Sequence, residues 1–143
     1  MQELVAFAQK LDNVLPRLRD ARRAALEDAG EEMLASVRGR IGGTGKVQRW
    51  QEKHMGSGGG YVAVRARANV RDENGYAVGY VTNALESGHR QEPGRYVPVI
   101  GRKLTRDRVP GKYMYSQSAQ ELDRIALSAA EQIEGAMEHC LEG

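Results

Sequence analysis

Apolar residues recur through the first third of the chain at spacings of three, four or their multiples. They are Leu4, Phe7, Ala8, Leu11, Leu15, Leu18, Ala25, Ala29, Met33 and Val37. That period marks one face of a helix. Pro16 lacks an N–H and disfavours helical geometry at Leu15. The pattern therefore predicts a short helix over about residues 3–13 and a long one over about 16–38, with Pro16 in the first turn of the second. Gly30 costs that helix about 1 kcal/mol relative to alanine. It is either a tolerated glycine or the mark of a close crossing.

The period then changes to two. In YVAVRARANV (61–70), Val62, Val64, Ala66, Ala68 and Val70 share one face, and Tyr61, Arg65, Arg67 and Asn69 share the other. This alternation predicts a half-buried strand. Asn74-Gly75 in RDENG is a hairpin signal, so YAVGYVTN (76–83) is expected to be the return strand. Leu85 to Ser87 reads as one helical turn that Gly88 ends. Residues 90–112 read as a loop rich in Gly, Pro and Arg, with a short strand around 96–100. Residues 113–141 read as a long amphipathic helix with a stripe of Leu122, Ile125, Ala126, Ala129, Ile133, Ala136, Met137 and Cys140. Ser118 and Glu121 have capping-box spacing, which sets the regular start near 119. The expected architecture is α+β in a single domain spanning 1–143. N-terminal helices and a long C-terminal helix pack on a small antiparallel sheet, and residues 39–60 form a flexible Gly-rich loop.

Composition narrows the function classes. The chain has 143 residues, enough for one ordinary domain. Its mean hydropathy is −0.58, and no apolar run approaches the roughly 18 residues of a membrane span, so no membrane partner is expected. The opening MQELVAFAQKL contains Glu3 and lacks the basic start and continuous apolar run of a secretory signal. Cys140 is the only cysteine, which excludes an internal disulfide and fits a reducing compartment. Aromatics make up 6%, so the core is expected to be thin, with burial between subunits supplying the rest. Charge is segregated. Residues 1–37 carry net −2, residues 38–112 net +9 and residues 113–143 net −5. A basic middle suits nucleic acid or the acidic ends of a neighbouring copy.

Catalytic and ligand signals are sparse. RIGGTGKVQRW (40–50) resembles a phosphate-binding loop at Gly45-Lys46. Arg40 stands where that loop needs its first glycine, Val47 where it needs a hydroxyl, and a helix precedes it instead of a buried strand. His54, His89, His139 and Cys140 show no metal-ligand spacing. Cys140 lies on an apolar stripe and reads as a small buried hydrophobe. Glu86 and His89 are the nearest approach to an acid–base pair, but no nucleophile or oxyanion motif accompanies them. A polar turn accounts for them as well. Arg65 and Arg67 can contact phosphates or pair with carboxylates. Trp50, the one tryptophan, is expected to make an ordered contact. No cofactor is implied.

VTNALESGHRQ (81–91) and VPGKYMYSQSAQEL (109–122) together resemble the tail-completion and head–tail joining proteins of long-tailed bacteriophages, the minor tail protein Z-like group. The matching positions are Asn83, Leu85, Glu86, Gly88, His89 and Arg90, then Val109, Pro110, Gly111, Tyr113 and Met114. Thr44, Gly45, Lys46 and Val47 with Trp50 are similar to an upstream element of the same group. The usual family wording after Asn83 is compressed here, and GSGGG (56–60) is extra. The resemblance implies a structural virion protein without catalysis, made in the host cytoplasm and placed in the tail or neck. It implies a ring, commonly of six subunits, at the head-proximal end of the tail. Expected partners are its own copies, the tail tube or terminator protein, the neck or connector protein, and genomic DNA in transit. Arg65, Arg67, Arg102, Lys103, Arg106 and Arg108 are candidates to face the lumen. Tail terminators, neck proteins and a small nucleic-acid-binding module are the alternatives.

Overall fold

The computed structural model describes residues 2–42, 45–90, 96–97, 102–103 and 108–142. The architecture is α+β, as the sequence predicts: long N- and C-terminal helices with small antiparallel β pairs between them. Among the described residues no helix is long and apolar enough to cross a membrane.

The first departure is at Pro16. One helix, α1, runs from Gln2–Ile41 with Pro16 inside it. Pro16 removes one N–H from the ladder, but it sits exposed, so water can serve the carbonyl that loses its partner. Helical residues on both sides then keep the axis continuous. The second departure is the hairpin. Val62–Ala66 is a strand, β2, with Arg65 exposed and Val62 and Val64 half-buried as the alternation predicts. Its partner lies upstream: β1, Gln51–Met55, pairs antiparallel with it from Gln51↔Ala66 to Met55↔Val62. GSGGG is the turn between them. Gly58 and Gly59 adopt φ 70° and 68°, a left-handed region that favours glycine, and Gly56 N–H donates to Tyr61 O at 2.8 Å. The expected flexible loop of 39–60 is therefore largely built structure from Gly45 onward: a helical turn, α2 (Lys46–Arg49), then β1 and the glycine turn.

The segment expected to return as a strand is helix α3, Val78–Ser87. Val78 and Thr82 are buried and Val81 and Leu85 half-buried, an i, i+3, i+4, i+7 set. The Asn74-Gly75 turn does form. Asp72 Oδ1 accepts the N–H groups of Asn74 at 3.0 Å and Tyr76 at 2.9 Å. Only a single bridge, Arg71↔Ala77, precedes the helix.

The C-terminal helix is divided. α4 covers Met114–Ser118, a 3-10 turn covers Ala119–Glu121, and α5 covers Leu122–Glu142. The expected capping box does not form. Ser118 has helical angles and makes no side-chain cap. Instead Ser118 and Glu121 turn to Ser36 of α1, whose hydroxyl lies 2.9 Å from Ser118 Oγ and is bonded to the Glu121 carboxylate. Further along, Arg124 reaches Glu32 and Gln132 reaches Asp28. α5 therefore runs antiparallel along α1. Of the short strand expected around 96–100, Tyr96–Val97 forms β4, paired with β5, Arg102–Lys103; residues 98–100 lie outside the described set. β3 (Gly88–Arg90) pairs with β6 (Arg108–Pro110).

The core is small. Val37, Ile41 and Met114 are buried together, with Val47, Val64, Leu85 and Tyr115 packed around them. Cys140 is buried near the end of α5, as its place on the stripe predicts. Gly30 marks a close crossing of α1 over β1 and β2. A Cβ there would stand 2.6 Å from Val62 Cγ2 and 2.7 Å from Lys53 Cδ. Gly39, on the same helix, has nothing within 4 Å of a Cβ. Gly30→Ala should therefore destabilise the fold by about 1–3 kcal/mol through overpacking. Gly39→Ala should stabilise it by up to about 1 kcal/mol through helix propensity. Urea unfolding midpoints of the two variants test the opposite signs; equal shifts would refute the crossing.

Candidate functional site

Two stretches that are distant in sequence meet at the end of α3. Gly88 leaves the helix at φ 82°, a left-handed turn that frees the chain to enter β3. β3 then pairs with β6 in the register Gly88↔Pro110, His89↔Val109, Arg90↔Arg108. The backbones touch closely. A Cβ on Gly88 would lie 2.8 Å from Gly111 N, and one on Gly111 would lie 2.7 Å from Ser87 C. Only glycine fits either place. Lys112 N–H donates to Leu85 O at 2.8 Å and Tyr113 N–H to Glu86 O at 3.1 Å, so the returning chain satisfies the last carbonyls of α3.

Glu86 locks the junction from the other side. Its carboxylate accepts the backbone N–H groups of Tyr115 at 2.9 Å and Ser116 at 3.0 Å, and the Ser116 hydroxyl at 2.7 Å. Those amides open α4, and Tyr113 precedes them in a left-handed conformation at φ 50°. One carboxylate thus ends one helix junction and begins another helix. Burial pushes the Glu86 carboxyl up, but the Ser116 hydroxyl and the two backbone donors outweigh it, and the group titrates below its ordinary range.

Beside this clasp runs a buried polar chain. The Tyr115 hydroxyl donates to Gln51 Oε1 at 2.5 Å. Gln51, wholly buried, donates from Nε2 to Thr82 Oγ1 at 3.0 Å and to Val47 O at 3.2 Å. Thr82 donates to Val78 O at 2.8 Å. Burial, then the nearby Glu86 charge, pushes the Tyr115 hydroxyl up to about 12, so it stays a neutral donor. α1 is tied to the same region. Arg38 donates to Gln48 O at 3.1 Å and Gln51 O at 2.8 Å, Gln48 returns a bond to Arg38 O, and Lys112 Nζ reaches Ile41 O at 3.3 Å.

Most of the residues that carry the family resemblance converge here. Glu86, Gly88, His89, Val109, Pro110, Gly111 and Tyr113 lie within the clasp, and Arg90 enters it through the β3 backbone. Asn83 stands one turn back on α3, exposed, on the rim of a cleft of about 380 Å³ shared with Arg65, Glu86 and Tyr115. Gly45 and Trp50 flank α2 instead. Gly45 is left-handed at φ 87°, and half-buried Trp50 has the Lys46 ammonium 5.9 Å from its ring centroid. Thr44 and Arg106 lie outside the described residues, as do the side chains of Arg90, Arg102, Lys103 and Arg108. The two described basic candidates are engaged within the chain. Arg65 pairs with Glu52 at 3.5 Å and Arg67 donates to Arg49 O at 3.1 Å.

The described Glu86 bonds go to Tyr115 and Ser116, not to His89. The carboxylate, the tyrosine hydroxyl and the buried amide are each committed to holding chain segments together. Among the described residues no group of His, Cys, Asp and Glu is placed to hold a metal. Sequence reasoning missed Gln51, Thr82, Tyr115 and Ser116. The usable signal was weak: Thr82 falls on the helical stripe of α3, one turn after Val78.

A depressed carboxyl contributes stability that is present above its unfolded value of about 4.3 and is lost as pH falls through its lower folded value. Wild type should therefore lose more stability between pH 5 and pH 3 than Glu86→Gln, and at pH 7 that variant should be the weaker by about 1–3 kcal/mol. Urea midpoints across that range decide it; parallel pH profiles would mean the clasp does not depend on the charge. The clasp must be read from its own chemistry, because the chain matches no family model, no curated protein and no solved structure.

Proposed function

We propose that this chain is a structural virion protein of a long-tailed bacteriophage. In this reading it assembles with its own copies into a ring at the head-proximal end of the tail and joins the finished tail to the capsid neck. The reading begins from a resemblance in two separate stretches, 83–90 and 109–114. The observation that carries it is that these stretches meet in one glycine-pinned clasp around Glu86. Residues that matter to each other in space, rather than in sequence, are what a shared structural element requires.

The chemistry supports scaffolding over catalysis, since the polar groups of the clasp are used on the chain's own backbone. The segregated charge, net +9 in the middle and net −5 at the C-terminal end, suits heterologous contacts between copies, which close into rings. The engagement of Arg65 and Arg67 within the chain argues against a dedicated nucleic-acid-binding face on β2. It leaves DNA passage to the ring's geometry.

Deleting the gene from its phage tests this directly. Electron microscopy should show full heads and normal-length tails that remain separate, and added protein should restore whole particles. Overlong tails would move the station to tail termination. Infectious particles at normal yield would sink the virion reading altogether.

A further inference from the structure

We draw no further inference here: the strongest candidate, the apolar groove between α1, β2 and α5 lined by Leu26, Met33, Val62, Leu122, Ala126 and Ile133, carries nothing, because nothing in the structure shows what covers it.

Discussion

A single buried amide joins the middle of this protein. Gln51 is wholly buried at the start of β1, yet every hydrogen bond it makes goes to a different element: Val47 in α2, Thr82 in α3 and Tyr115 in α4. Its backbone carbonyl also receives Arg38 from α1. Removing any partner would leave a polar group dry, at a cost of about 1–3 kcal/mol. All the partners are therefore held in one arrangement. Among the described residues no buried side-chain nitrogen or oxygen lacks a hydrogen bond. The network is satisfied, which is the condition under which a polar core specifies a unique fold.

That constraint matters because the apolar core is slight. Three buried residues, Val37, Ile41 and Met114, form the central cluster, and Val14, Ala25, Leu34, Val78, Ile125 and Cys140 are the other buried apolar residues among those described. Hydrophobic burial of this extent does not by itself fix the relative placement of five helices and three strand pairs. The directional bonds of Gln51, and the Glu86 clasp beside it, supply the missing specificity. Clasp and amide share Tyr115: its backbone N–H is held by Glu86 and its hydroxyl by Gln51. The Glu86 charge also helps keep that hydroxyl protonated. The two motifs thus meet at one residue, Tyr115, through which a change at Glu86 would reach Gln51.

How much of this was legible depended on the kind of signal. Periodicity located α1, β2 and the C-terminal helix, and with them the fold class. Pro16 misled because an exposed proline interrupts a ladder without ending a helix. The Asn74-Gly75 turn misled because it was read as half of a hairpin. The Val78, Val81, Thr82, Leu85 spacing that follows it is helical. β1 was hidden in a loop because QEKHM shows no apolar alternation; its strand character comes from pairing with β2 across the glycine turn. The clasp was half legible. Gly88, Pro110 and Gly111 stand out as punctuation, but their juxtaposition is a tertiary fact. Gln51 was not legible at all, since nothing in a polar residue's local pattern announces that it will be buried.

The fold's economy then bears on what the molecule is for. Polar groups near the clasp are turned inward and satisfied, while Leu4, Val5, Leu15, Leu122 and Leu127 are left on the surface. A monomer selected only to be stable would favour the opposite distribution, with large apolar side chains covered. An assembly subunit gains from this one. If the chain assembles as proposed above, burying those side chains against another copy would add free energy that the isolated chain lacks, and folding and association would be coupled. The rigid unit around Gln51 and Glu86 would then serve a second purpose. It holds α1, α2, α3 and α4 in one arrangement, so that any association on these elements would cost little reorganisation of the chain.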